Sequence, residues 1–247
     1  PIPLREQNGF AFSAEEVLSK INKRTRLIIL NSPANPTGGV VPRREFDALI
    51  EGLCKWPDVA IMSDEIYGQM LYDKREHVSL IRYPEINDRL ILLDGWSKTY
   101  AMTGWRLGYS VWPEKVAPHA EKLCVNIHSC VNSSAQFAGI AALTGDQSPV
   151  KAMVSAFDER RTVIVNELNK IPGFSCIQPG GAFYAFPNIT QTGFRSDELQ
   201  KKILEDAGVA VISGTSFGEH GEGYLRFSYA NSTENILKAV DLIKGCL

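Results

Sequence analysis

The sequence feature that most constrains the fold is a set of short, almost continuous apolar runs, each followed at once by polar residues. These runs cover 26–30, 59–62 and 90–93, and the polar segments after them end at Gly39, Tyr67 and Lys98. Strands buried on both faces have continuous apolar runs of this kind, and the segment 43–55 has a helical pattern. The chain is therefore expected to form an α/β fold with a mostly parallel sheet covered by helices. Ligands of such sheets bind at the carboxyl ends of the strands, where the polar segments lie.

The second half of the chain changes character and predicts a smaller domain. A long helical stretch spans about 150–170, and short strands and helices alternate after it. Other helices are expected over 13–21, 113–126, 135–143, 197–207 and 233–244, and other strands over 107–112, 174–178, 182–186, 209–212 and 224–229. We therefore expect a large domain at 1–150, and a long connecting helix with a small C-terminal α/β domain at 151–247.

Composition excludes several classes of protein. The 247 residues are 44% apolar and 22% charged, which is typical of a globular domain and not of a disordered chain. A net charge of −2 provides no basic face for nucleic acid. No apolar run approaches the roughly 20 residues that span a bilayer, and no secretory leader opens the chain. We expect a cytoplasmic protein with neither a nucleic-acid nor a membrane partner.

The five cysteines do not form a disulfide framework, because their number is odd and their spacing irregular. Cys124, His128 and Cys130 lie close together in the sequence. No second pair of ligands occurs at the spacing of a zinc site, so we expect no metal there. Free thiols are the usual state of cysteines in a reducing compartment.

Lys98 is the strongest candidate for a catalytic residue. It follows an apolar strand and is flanked by Trp96 and Met102. An amine in apolar surroundings is more easily kept uncharged, and it is then a nucleophile toward an aldehyde. Most loop lysines are merely solvated, so the neighbouring residues decide between these interpretations. Arg106 lies in a turn before the next strand, where a guanidinium can clamp a phosphate through paired hydrogen bonds.

Other polar side chains at strand ends are suited to a ligand. Asp64 and Glu65 point to opposite faces of a strand, so an isolated carboxylate suited to a cationic nitrogen is expected rather than an acid/base pair. Tyr67 can present a phenol to the same pocket. Asn35 belongs to a turn, and its amide either only shapes that turn or faces the ligand. Arg226 lies on an apolar strand, where a buried charge needs a partner and a guanidinium can hold a carboxylate bidentately.

Five motifs, in one order, are similar to those of the class I and II aminotransferases of the aspartate aminotransferase fold type. They are Asn35-Pro-Thr-Gly38, Ser63-Asp-Glu-Ile-Tyr67, Ser97-Lys-Thr-Tyr-Ala-Met-Thr-Gly-Trp-Arg-Leu-Gly-Tyr109, Pro179-Gly-Gly-Ala-Phe183 and Arg226-Phe-Ser-Tyr-Ala230. Each motif alone is weak, but together they are specific and extend over essentially the whole chain. The resemblance implies fold type I of the pyridoxal-phosphate-dependent transferases. It also implies amino-group transfer between an amino acid and a 2-oxo acid by a ping-pong mechanism.

The resemblance implies a role toward pyridoxal 5'-phosphate for each matching residue. Lys98 resembles the lysine that forms the internal aldimine and then moves a proton between substrate and cofactor. Asp64 resembles the carboxylate that keeps the ring nitrogen protonated, so that the ring acts as an electron sink. Tyr67 and Asn35 resemble the pair that hydrogen-bonds the phenolate oxygen of the cofactor. Arg106 resembles the phosphate clamp.

Substrate and subunit contacts follow from the same resemblance. Arg226 resembles the anchor for the α-carboxylate of the substrate, and Asn35 lies with it at the substrate position. The stretch 129–134 is similar to a loop that reaches the site of a partner subunit. A homodimer is therefore implied.

The chain differs from the family pattern at its start, because members usually carry a long further stretch before the position of Pro1. That stretch supplies a phosphate loop, an aromatic residue that stacks on the cofactor, and a tyrosine donated across the dimer. One alternative is another reaction with the same cofactor, such as that of a carbon–sulfur lyase or an amino-acid synthase. Another is a non-catalytic fragment of the fold, inactive as an isolated chain. The motifs do not identify the amino acid, since aspartate, alanine, aromatic and branched-chain donors all fit them.

Overall fold

A four-stranded sheet forms the first half of the chain. The computed structural model describes residues 1–247. The sheet has the order β1-β2-β3-β4, in which β1, β2 and β3 are parallel and β4 is antiparallel to β3. The strands are β1 (Leu27–Asn31), β2 (Ala60–Asp64), β3 (Leu90–Gly95) and β4 (Gly108–Val111). This sheet confirms the predicted α/β class with a mostly parallel sheet.

Two helices, α1 (Ala14–Lys20) and α2 (Arg43–Leu53), form a core against this sheet. α1 begins after Ser13, whose side chain accepts a hydrogen bond from the Glu16 N–H, as its sequence predicts. α2 is amphipathic and turns its apolar side chains inward. They include Leu49 and Leu53, which are fully buried, as is Ile61 of β2.

A second, smaller sheet lies in the C-terminal part of the chain. Its strands are β5 (Tyr184–Ala185), β6 (Ile212–Ser213) and β7 (Leu225–Ser228), in the antiparallel order β5-β7-β6. The helices around it are α5 (Ser148–Leu168), α6 (Ser196–Ala207) and α7 (Thr233–Cys246). Their core extends to Tyr67 and Met70, which follow β2. One apolar core therefore joins the second sheet to the polar edge of the first.

Helices α3 (Ala117–His128) and α4 (Ser133–Thr144) carry a large exposed apolar surface. α3 contains no buried residue. We define the α3–α4 face by Leu123, Ile127, Phe137 and Ile140, which are all more than half exposed. Large apolar side chains exposed together on two successive helices are typical of an interaction surface. None of the helices is both long enough and apolar enough to cross a bilayer.

The strand expected over 174–178 does not form. Ser175 makes an isolated bridge with Asn188, and no ladder extends from it. The Asn169 side chain accepts from the N–H of Cys176 at 2.7 Å and donates to its carbonyl oxygen at 2.9 Å. Both backbone groups of Cys176 are thus satisfied by a side chain, which replaces the hydrogen bonds that a neighbouring strand would supply.

Candidate active site

The register of the first sheet brings the polar strand ends together. Asn31, the last residue of β1, pairs with Asp64, the last residue of β2. Asp64 in turn is level with Leu93, near the end of β3. Because the three strands are parallel, the segments that follow them leave the sheet at one edge. Asn35, Asp64, Tyr67 and Lys98 all belong to this edge or to the loops that follow it.

The Asp64 carboxylate is half-buried and only partly satisfied. Its Oδ1 accepts the Ile66 N–H at 3.2 Å, and its second oxygen has no hydrogen bond. Asn31 donates to the Asp64 carbonyl oxygen at 3.0 Å and so fixes the strand end. Burial raises the pKa of Asp64, while the Ile66 N–H and the nearby Lys98 offset part of the rise. A cationic N–H donor would stabilise the ionised form of such a carboxylate.

Glu65 faces a different set of groups from Asp64. Its carboxylate accepts from Ser63 Oγ at 2.9 Å and from the Leu80 N–H at 2.9 Å, and it contacts His77 Nε2 at 2.7 Å. Burial alone would raise the pKa of Glu65, but the hydrogen bonds from His77 and Leu80 outweigh it and the pKa is lowered. Glu65 therefore ties the segment 77–80 to the end of β2.

Tyr67 is a buried phenol with one hydroxyl partner. Its hydroxyl lies 2.8 Å from that of Tyr184, and its ring packs edge-on against Phe183. Burial, together with the charge of Asp64, raises the pKa of Tyr67 well above its ordinary value. The hydroxyl therefore stays protonated at neutral pH and is able to donate to an anionic oxygen.

Lys98 lies half-buried in the turn after β3. Its Nζ is 6.0 Å from the centre of the Tyr67 ring and 5.7 Å from that of Phe183. These distances are within the range of a cation–π contact. The amine makes no hydrogen bond and no ion pair with a side chain. A lysine without a carboxylate partner, beside two aromatic rings, is available to react with a ligand aldehyde.

Arg106 is at the far end of the turn that contains Lys98. Thr103 Oγ1 donates to the Ser97 carbonyl oxygen at 2.8 Å, and Arg106 Nη1 donates to the Thr103 carbonyl oxygen at 3.0 Å. Arg106 itself has a left-handed backbone (φ 54°) and makes no ion pair. Its guanidinium is exposed, and its other N–H groups remain able to bind an anion.

Arg226 projects from β7 toward the loop after β1. Its Nη1 donates to Asn35 Oδ1 at 2.9 Å. The guanidinium lies over the Tyr184 ring, 4.7 Å from its centre, and 5.0 Å from that of Phe217. Its Nε is buried and has no hydrogen-bond partner. Since an unpaired buried donor is costly, this arrangement fits an anionic ligand such as a carboxylate.

The loop that holds Asn35 is itself fixed by the second half of the chain. The Asn35 N–H donates to Asn31 Oδ1 at 2.8 Å, and the N–H groups of Gly180 and Gly181 donate to the Gly38 carbonyl oxygen. Gly38 has a φ of +67°, and a Cβ there would lie 2.4 Å from the Pro179 side chain. Only glycine allows this close approach of the two loops.

The donor set fits the cofactor that the sequence resemblance implies. It includes a free amine (Lys98), an under-satisfied carboxylate (Asp64), a protonated phenol (Tyr67) and an exposed guanidinium (Arg106). These groups match an aldehyde, a cationic ring nitrogen, a phenolate oxygen and a phosphate, respectively.

Three residues of this site had no predicted role: Asn31, Tyr184 and Phe183, the last of which ends the fourth sequence motif. The apolar segment 182–186 was expected to be a strand, and a buried tyrosine in such a strand needs a hydrogen-bond partner for its hydroxyl. That need is the one signal that could have marked Tyr184.

No group of three or more histidine, cysteine, aspartate or glutamate side chains is arranged to hold a metal.

Comparisons with known proteins agree with one another. The family model described as aminotransferase class I and II matches residues 1–243. An aspartate aminotransferase of Pyrococcus horikoshii is 42% identical over 248 residues, which include 100% of this chain and 63% of that protein.

Solved structures show the same likeness. The aromatic aminotransferase from Pyrococcus horikoshii OT3 superposes with a TM-score of 0.94 at 33% identity, over 99% of this chain and 65% of the other. The aspartate aminotransferase from Thermus thermophilus with maleate gives 0.89 at 33% identity, over 98% and 62%. The chain thus spans less than two thirds of the length of each of these proteins.

Proposed function

This chain belongs to the class I and II aminotransferase family, and from that premise we propose that it binds pyridoxal 5'-phosphate and takes part in amino-group transfer between an amino acid and a 2-oxo acid. The observation that carries the proposal is the position of Lys98. Its amine has no ion-pair partner and lies beside Tyr67 at the edge of the sheet where Asp64 ends β2. The chain spans 63% of the length of its Pyrococcus relative. The activity is therefore proposed for the whole protein that contains this site.

Five side chains would hold the cofactor. Pyridoxal phosphate, when bound, supplies an electrophilic aldehyde and a ring that accepts electron density from the substrate. Asp64 would accept the N–H of the ring nitrogen through its unused oxygen, and Tyr67 and Asn35 would donate to the phenolate oxygen. Arg106 would bind the phosphate, and Lys98 would provide the amine.

Lys98 is also the group that would hold and move a proton. A free amine accepts a proton and the resulting ammonium releases it, so one residue can serve as base and then as acid. Nζ lies 6.0 Å from the centre of the Tyr67 ring and 5.7 Å from that of Phe183, so the amine is positioned beside both rings. No other amine is needed for this exchange.

Arg226 would bind the carboxylate that amino acids and 2-oxo acids share. Its unpaired Nε and its orientation by Asn35 support this role. One guanidinium at this position serves one carboxylate at a time. The two substrates would therefore use the site in turn, which is the order of a ping-pong mechanism.

A homodimer and a cytoplasmic location complete the proposal. The α3–α4 face and the adjacent stretch 129–134 are exposed, and a second copy of the chain would cover this apolar surface. All five cysteines are free, which suits a reducing compartment.

Product analysis tests the proposed reaction. Because the similar P. horikoshii protein is an aspartate aminotransferase, aspartate and 2-oxoglutarate are the first substrate pair to assay. We expect glutamate to form only when both substrates and cofactor are present, and not with the Lys98→Ala variant. Release of ammonia or a thiol without any need for a 2-oxo acid would instead indicate a lyase.

A further inference from the structure

One residue of the site contacts both the cofactor tyrosine and the carboxylate-binding arginine. Tyr184 is 6% exposed, and its hydroxyl lies 2.8 Å from that of Tyr67. On its other side, the Arg226 guanidinium lies 4.7 Å from the centre of the Tyr184 ring. No other aromatic side chain makes both kinds of contact.

The sheet register explains why Tyr184 lies beside Arg226. Tyr184 of β5 pairs with Ser228 of β7, and Arg226 is two residues before Ser228 on the same strand. Residues two apart point to the same face of a strand, so Tyr184 and Arg226 are diagonal neighbours on one face. This contact is set by the backbone and not by a mobile loop.

The hydroxyl pair has a consequence for the direction of hydrogen bonding. Only one of the two protons can occupy the bond between Tyr67 and Tyr184. When Tyr184 donates, Tyr67 keeps its own proton for a third group in the pocket, and a hydroxyl that accepts a hydrogen bond becomes a stronger donor.

We propose that Tyr184 is a positioning residue with two separable roles: its hydroxyl orients the Tyr67 phenol, and its ring orients the Arg226 guanidinium. This inference rests on the proposed function, because the roles concern the cofactor and carboxylate that those residues would bind. Tyr184 need not touch either ligand.

Two substitutions separate the roles. Tyr184→Phe removes the hydroxyl and keeps the ring, whereas Tyr184→Leu removes both. The first readout is the midpoint of a pH titration, in which the visible absorption spectrum of the chain loaded with pyridoxal phosphate is followed. The second is the dissociation constant for maleate, an unreactive dicarboxylate.

We expect Tyr184→Phe to raise the pH midpoint by about half a unit, because Tyr67 then stabilises an anionic oxygen less well. Its maleate affinity should stay within about twofold of wild type, since the ring under Arg226 remains. Tyr184→Leu should raise the midpoint similarly and weaken maleate binding about fivefold. In a Tyr67→Phe background, Tyr184→Phe should leave the midpoint unchanged.

The contrary outcomes are distinct. An unchanged midpoint in Tyr184→Phe, or a further shift in the Tyr67→Phe background, overturns the hydroxyl role. Wild-type maleate affinity in Tyr184→Leu overturns the ring role. If Tyr184 were only structural, both substitutions would lower the melting temperature, and the pH midpoint and the maleate affinity would not respond differently to them. A wild-type chain with no cofactor absorption would contradict the proposed function itself, whatever the variants show.

Discussion

Arg226 Nη1 donates to Asn35 Oδ1 at 2.9 Å, across 191 positions of sequence. This hydrogen bond joins a strand of the second sheet to the loop that leaves β1. It orients the guanidinium and uses one of its five donors, while Nε stays unpaired. The proposed carboxylate site is therefore built from both halves of the chain.

Replacing Arg226 with glutamine should weaken maleate binding to the cofactor-loaded chain by at least about 30-fold, because hydrogen bonds to charged groups are lost. Arg226→Lys keeps the charge but not the paired geometry, so we expect an intermediate loss. Asn35→Ala should weaken binding about fivefold, since only the orientation of Nη1 is lost. Calorimetric titration measures all three, and affinities within twofold of wild type would exclude Arg226 as the anchor.

Arg161 is expected to contribute strongly to stability. Its side chain is 3% exposed, contacts Asp73 at 2.8 Å and Asp158 at 2.6 Å, and donates to the Pro179 carbonyl oxygen at 2.8 Å. Arg161→Met should lower the free energy of unfolding by about 2 kcal/mol, because the hydrogen bonds of a buried guanidinium to Asp73, Asp158 and the Pro179 carbonyl oxygen are lost.

An exposed arginine provides the control for that measurement. Arg195 pairs with Asp197 on the surface, and both side chains are more than half exposed. Arg195→Met should change the free energy of unfolding by less than about 1 kcal/mol in the same urea titration. Equal effects of the two substitutions would show that burial of Arg161 adds nothing.

Glu65 should make the free energy of unfolding depend on pH in the acid range. Its folded-state pKa is lowered, so its contribution is complete above the ordinary value of 4.5 and is lost as the pH falls through the folded pKa. Glu65→Gln should be less stable than wild type by about 1–2 kcal/mol at pH 7, and the gap should narrow below pH 4.5. Urea midpoints across this range measure the gap, with Glu51→Gln on the exposed side of α2 as control. A gap that is constant with pH would contradict the assignment.

The α3–α4 face should mediate self-association. Phe137 is 74% exposed, so Phe137→Gln should alter the free energy of unfolding of the monomer by no more than about 0.5 kcal/mol. We expect wild type to sediment as a dimer and Phe137→Gln to dissociate at least tenfold more readily. Leu242→Gln, on the exposed side of α7, should sediment like wild type. A monomeric wild-type chain would exclude the proposed homodimer.

Much of the first sheet could be predicted from sequence because its signals are local. Apolar runs of strand length end at Asn31, Asp64 and Leu93 or close to them, and polar residues follow each run. Parallel packing then places Asp64 and Lys98 at one edge. The placement of these candidates required no knowledge of side-chain packing.

Contacts between distant segments could not be predicted in the same way. Tyr184 meets Tyr67 across 117 positions, and neither residue carries a local pattern that names its partner. The hydrogen bonds that Glu65 forms with the segment 77–80 depend on the path of a loop. The segment 174–178 has the composition of a strand, but the Asn169 side chain forms hydrogen bonds with both backbone groups of Cys176, which are then not available to a neighbouring strand.

A visible absorption spectrum of the chain with pyridoxal phosphate tests the central claim most directly. We expect wild type and Lys115→Ala, which changes an exposed lysine, to show an absorption band that free cofactor lacks. Lys98→Ala should lack that band, because the reactive amine is gone. If Lys98→Ala gives the same band as wild type, or if wild type gives only the spectrum of free cofactor, then Lys98 is not the cofactor-binding amine of this chain.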